Sequence, residues 1–129
     1  MNYLTDTQMR IINQLVVRET GGLLGVRDSH TISSLENLPR QTMFGKELYP
    51  DVFIKAALYA RNIIMGHPFL DGNKRTGIAC ALTFLESNEI VFRAKKGEIE
   101  KFAIRIVIKK LELKDIALWF RKHSHKKYI

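Results

Sequence analysis

Two long apolar stretches on either side of one polar loop constrain this chain more than any other feature. Residues 52–65 hold Phe53, Ile54, Leu58, Ile63 and Ile64, and residues 78–85 are almost wholly apolar. Both are longer than a typical buried strand and rich in alanine, so both read as helices. They are apolar most of the way round, which places them at the centre of a bundle rather than on its surface. The predicted fold class is therefore all-α, built around two central helices. The loop between them sits on a rigid support, and loops so held commonly carry binding or reacting groups.

That loop, His67-Pro68-Phe69-Leu70-Asp71-Gly72-Asn73-Lys74-Arg75, points to phosphate. Gly66 and Pro68 end the first helix. Asn73 is the expected N-cap of the second. A helix N-terminus offers unpaired N–H groups and the positive end of the macrodipole, so it attracts anions. Gly72 allows close approach of the backbone to a ligand. Lys74 and Arg75 oppose the dipole in a first turn unless an anion is bound there. Asp71 is a hard oxygen ligand suited to Mg²⁺ bridging phosphates, or else a partner for Lys74 or Arg75. His67 accepts a proton near neutral pH. A site built on metal alone is a poorer reading, because Pro68 and Gly72 interrupt any helix that would align His67 with Asp71, and no third ligand stands at a recognised spacing.

The pattern His67-x-Phe69-x-Asp71-Gly72-Asn73-Lys74-Arg75 resembles the signature of the Fic/Doc (Fido) family, in the form carried by the death-on-curing toxins. Seven specified positions match by chance about once in a billion start sites. Gly21-Gly22, Gly25-Val26-Arg27-Asp28, Ser34-Leu35-Glu36 and Glu47-Leu48-Tyr49-Pro50-Asp51 resemble the same toxins, whereas the stretch after Lys96 is less distinctive. The resemblance implies one Fido domain over residues 1–129 with ATP as substrate and Mg²⁺ as cofactor. His67 would be the general base, Asp71 the metal ligand, and Gly72, Asn73, Lys74 and Arg75 the phosphate cradle. Phe69 would anchor the loop. Gln41, Thr42, Met43 and Phe44 would form a target-binding flap, the alternative being an ordinary loop with Phe44 tucked into the core.

Adenylylating relatives carry glycine where this chain has Lys74, and a second arginine where it has Ile78. The resemblance therefore implies a nucleotide turned round, with its γ-phosphate facing the target. That is a kinase of Ser/Thr hydroxyls, acting on elongation factor Tu and blocking translation, with catalysis by positioning and charge stabilisation. The rivals are AMP transfer by the same loop and a non-catalytic nucleic-acid or partner-binding module. Met65 and Ala79 stand where the best-known toxin of this type has arginine and asparagine. No Ser/Thr-x-x-x-Glu-Gly/Asn self-inhibitory element is present, which implies restraint by a separate antitoxin of the prevent-host-death type, its disordered tail folding into a groove.

Composition narrows the remaining classes. Residues 1–90 carry no net charge, and residues 91–129 hold twelve Lys/Arg against four Asp/Glu, the whole of the +8. This reads as a solvated basic helix face with a basic tail at 121–129, so nucleic acid is not expected as a substrate. The lone Cys80 reads as a small buried hydrophobe and fits a reducing cytoplasm. Neither a signal peptide nor a membrane-spanning run is visible.

The rest of the chain supplies supporting helices. Thr5-Asp6-Thr7-Gln8 is a capping box, with Ile12, Leu15 and Val16 following and a stop at Gly21-Gly22. The loop at 21–29 lacks a P-loop pattern, and Arg27 and Asp28 read as shaping it. A short helix is expected at 31–38, capped by Ser29 or Thr31, and a connector at 40–48. Residues 89–93 are extended. Ile99, Phe102, Ala103, Ile106 and Val107 mark an amphipathic helix, and a last helix from Lys114 or Asp115 holds Ile116, Trp119 and Phe120. His123 and His125 read as tail residues.

Overall fold

Thr5 begins the first helix, α1 (Asp6–Thr20), through the expected capping box: its side chain accepts from the Gln8 N–H and Gln8 reaches back to the Thr5 N–H. Gly21 ends it in the left-handed region at φ 80°. The computed structural model describes residues 1–127. The remaining helices are α2 (Ser29–Asn37), α3 (Val52–Gly66), α4 (Asn73–Ser87), α5 (Glu98–Lys109) and α6 (Leu113–Lys122). A 3₁₀ turn, Leu38–Arg40, follows α2. The strands are short: β1 (Thr42–Met43), β2 (Lys46–Glu47), β3 (Ile90–Phe92) and β4 (Ser124–Lys126). The fold class is all-α, as expected.

The two apolar stretches are the two central helices. Helix α3 packs most extensively on α4 and then on α6, with α1, α2 and α5 around them. Ala56, Ala57, Ala60, Ile63 and Ile64 of α3 face Ile78, Ala81, Phe84 and Leu85 of α4 in one contiguous core. Each large aliphatic or aromatic side chain buried there contributes about 1.5–3 kcal/mol. The small residues let the two axes come close. Gly77 is the extreme case, since a Cβ there would stand 2.9 Å from the Ala60 carbonyl oxygen. Cys80 is in the same core, where burial pushes its thiol pKa well up.

Several expectations are corrected. Helix α2 is capped by Asp28, not by Ser29 or Thr31; the Thr31 hydroxyl and N–H both bond the Asp28 carboxylate and lower its pKa. That cap is present above the ordinary carboxylate range and is lost as pH falls through the lowered pKa. On α1, Leu15 is exposed; the buried line is Met9, Asn13 and Val17, with Ile12 and Val16 beside it. The connector at 40–48 contains a two-stranded hairpin whose turn, Phe44-Gly45, has φ 52° and 77°. Both central turn residues at positive φ suit the twist of a tight hairpin.

The basic segment from Arg121 to Lys127 is not a frayed tail. Arg121 and Lys122 close α6, and β4 pairs antiparallel with β3, Val91 opposite His125. Arg121 pairs with Asp51, the N-cap of α3, and lies over the Phe53 ring. His123 packs on Trp119 and bonds the Trp119 carbonyl and Glu98. Residues 128 and 129 of the expected tail lie outside the described residues. Every Lys and Arg described beyond residue 90 is exposed, as a solvated basic face requires.

Candidate active site

Helix α3 ends where its sequence breaks. His67 caps it in the left-handed region at φ 48°, its N–H bonding the Ile63 carbonyl 3.1 Å away. A non-glycine residue held there costs about a kilocalorie or more and persists only when its surroundings impose it. Arg27 is the imposing group. Its Nε and Nη2 donate to the His67 carbonyl at 2.9 and 2.6 Å, and Nη2 also reaches the Gly66 carbonyl. A guanidinium at a helix C-terminus satisfies orphan carbonyls and complements the negative end of the dipole. The His67 side chain is exposed, and neither ring nitrogen is hydrogen-bonded among the described residues.

The loop is stitched to the glycine-rich segment 21–28. The Arg27 and Asp28 N–H groups bond the Pro68 carbonyl, Val26 bridges Phe69, and the Leu70 N–H bonds the Gly25 carbonyl. Phe69 is buried and anchors the loop in the core. The Leu23 N–H donates to Asp71 Oδ2 at 2.7 Å. Gly22 permits this, since a Cβ there would stand 2.8 Å from the Asp71 Cβ. Asp71 is exposed, and among the described residues it makes no ion pair with Lys74 or Arg75 and its other oxygen has no hydrogen-bond partner.

The start of α4 departs from expectation. Its N-cap is Gly72 at φ 77°, not Asn73, and no side chain among the described residues caps it. Asn73 is 8% exposed, and its amide is spent inside the loop. Its Oδ1 accepts from the Phe69 N–H at 3.0 Å and its Nδ2 donates to the Phe69 carbonyl at 2.9 Å. The Asn73 side chain is thus a brace, and only its N–H remains for a ligand. The first backbone bond of α4 runs from Thr76 to Gly72, so the Asn73, Lys74 and Arg75 N–H groups have no partner among the described residues. Three uncapped donors with two exposed cations beside them are the chemistry by which a helix start can hold an anion.

A model described as the Fic/DOC family matches residues 3–85, which run from before α1 through the loop and nearly all of α4. The chain belongs to the Fic/DOC family. Toxin Doc of Mycolicibacterium smegmatis (strain ATCC 700084 / mc(2)155) is 38% identical to it over 74 residues, 57% of this chain and 57% of that protein. The chain thus matches little more than half the length of that relative. The Fic/DOC match stops before β3, so β3, α5, α6 and β4 fall outside it.

Two polar residues inside the helical core escape sequence reasoning, one beside the Fic/DOC loop and one beside the β1–β2 hairpin. Asn13 is buried on α1 and its Nδ2 donates to the Asp71 carbonyl and to the Thr76 hydroxyl, each at 3.0 Å. Its signal is a polar residue in line with Met9 and Val17 on a buried helix face. Lys55 is the other, a cation inside an apolar helix. The expected flap residues Gln41, Thr42, Met43 and Phe44 stand on the β1–β2 hairpin, all exposed, and Phe44 is 98% exposed at its tip. Phe44 is therefore not tucked into the core. Lys74 and Arg75 also rim an apolar groove of about 440 Å³ lined by Val16, Ile78, Leu82, Ile99, Ala103 and Ile104.

Proposed function

We propose that the chain is a Doc-type toxin that moves the γ-phosphate of ATP onto a Ser or Thr hydroxyl of a translation factor, elongation factor Tu being the proposed target. The observation that carries this reading is an exposed His67 at the end of α3 and the start of α4 beyond it, the His67 ring unbonded and the α4 N–H groups uncapped among the described residues. The Asn73, Lys74 and Arg75 N–H groups, with the Lys74 and Arg75 side chains, would hold the phosphates; Arg75 offers a planar fork that matches phosphate oxygens. His67 would take the proton of the target hydroxyl as its oxygen bonds to the γ-phosphorus. The bond from that phosphorus to the β–γ bridging oxygen then breaks and ADP leaves. Mg²⁺ would neutralise charge on the phosphates. Asp71 fits it, with one oxygen fixed by Leu23 and the other without a partner among the described residues, and Mg²⁺ is commonly bound by one or two carboxylates plus substrate phosphates.

The same reading gives a cytoplasmic protein, restrained by an antitoxin of the prevent-host-death type whose tail occupies the groove beside Lys74 and Arg75. No helix among the described residues is long and apolar enough to cross a membrane. The hairpin is the proposed flap. The test is transfer of label from ATP to purified elongation factor Tu with Mg²⁺. Label from the γ position and none from the α position is expected. Label from the α position alone would make the protein an adenylyltransferase, and none from either would remove the kinase.

A further inference from the structure

We infer that the Lys55–Glu47 ion pair is a latch that sets the position of the β1–β2 hairpin, which makes both residues positioning residues for the protein target. The inference rests on the reading of the hairpin as the flap that meets that target. Lys55 lies on α3 with a side chain 0% exposed. Its Nζ donates to the Pro39 carbonyl at 2.6 Å and to Glu47 Oε1 at 3.0 Å. It also stands 5.2 Å from the centroid of the Tyr3 ring. Glu47 at the other end of the pair is 49% exposed, so only the ammonium is taken out of water, which is costly, and an apolar residue of similar volume would fill the same space without that cost. Packing alone therefore gives α3 no reason to carry a lysine here. What the lysine supplies is a directed bond.

The hairpin depends on that bond. Every residue from Gln41 to Leu48 is exposed, so the segment has no hydrophobic anchor of its own. A lone two-stranded hairpin is marginally stable in water. Its backbone bonds run within itself, Leu48 to Gln41, or to the adjoining Leu38. Among the described residues, Glu47 is the one hairpin side chain that bonds to the body of the protein. The hairpin is thus fixed to a fully buried group at its base and presents Phe44 at its tip.

Lys55 precedes His67 by twelve residues. That is about 18 Å of helix. The latch therefore acts far from the reacting atoms, while a protein interface of about 800 Å² per partner is broad enough to engage both. Its loss should weaken docking of the target and leave the nucleotide loop as it was.

The test compares the wild type with Glu47→Ala and Glu47→Gln, using labelled MgATP and purified elongation factor Tu, with amide hydrogen exchange read at residues 41–48. Glu47→Ala is expected to speed exchange in the hairpin at least tenfold and to raise KM for the factor about tenfold, or 1.4 kcal/mol. Its kcat and its affinity for MgATP should stay within about twofold of wild type. Glu47→Gln keeps an acceptor for Lys55 and should fall between. If Glu47→Ala does not fold, Glu47→Gln carries the same comparison. A Glu47 variant that melts lower yet keeps the wild-type KM overturns the inference, as does unchanged exchange at 41–48. If the wild type itself transfers no label, the functional reading fails, and the exchange result alone still decides whether the latch exists.

Discussion

His67→Ala is expected to slow transfer to the protein target by about 10²–10⁴-fold, the usual worth of a positioned general base. The fold should survive. The ring is exposed and unbonded among the described residues, so its removal leaves no cavity and no orphaned partner. Surface changes of this kind usually stay within about 0.5 kcal/mol. The backbone is the one complication, because φ is 48° here and alanine tolerates that region less well than asparagine. His67→Asn is therefore the companion variant, with the same loss of rate and a better-kept backbone. Both should retain MgATP affinity, since the proposed phosphate donors belong to α4. Single-turnover transfer and thermal melting read the two effects separately. A variant with wild-type rate would remove His67 from the chemistry.

The second large effect is on stability. Gly77→Ala exchanges a poor helix former for the best one, and on propensity alone should stabilise α4 by about 1 kcal/mol. Contact with α3 reverses the sign. The new Cβ would stand 2.7 Å from Ile64 Cγ1 and 2.9 Å from the Ala60 carbonyl oxygen. The isoleucine can turn, but the carbonyl belongs to the α3 backbone and yields only if the two helices part. Overpacking of this kind costs about 1–3 kcal/mol. For a chain of this size roughly 2 kcal/mol lowers the melting temperature by about 5–10 °C. Gly77→Val should do more, and because α3 and α4 carry the loop between them, nucleotide affinity should fall with stability. A higher melting temperature for Gly77→Ala would show that the helices do not meet this closely.

The helix pair and its loop were legible because their signals are local. Apolar periodicity marks α3 and α4, Gly66 and Pro68 mark the break, and Phe69 is an apolar residue in a polar run. What was missed depends on partners distant in sequence. Asn73 obeys the N-cap rule on paper, yet Gly72 takes the cap and the Asn73 amide is claimed by the Phe69 backbone, a better use of a buried amide. Asn13 looks like a solvent residue until Asp71 arrives 58 positions later. β4 was hidden for the same reason: three residues have little pattern, and their partner strand lies before α5. Leu15 shows the opposite error, since an apolar residue near the right spacing need not face inward. Lys55 is the instructive case, a cation whose presence in an apolar helix was itself the signal.

The central claim is that the uncapped start of α4 grips a nucleotide's phosphates, and titration calorimetry with MgATP tests it most directly. The expected result is uptake at one site per chain, weakened at least tenfold in a Lys74→Ala, Arg75→Ala double variant that melts like the wild type. No uptake by the wild type, or equal uptake by the double variant, would contradict it.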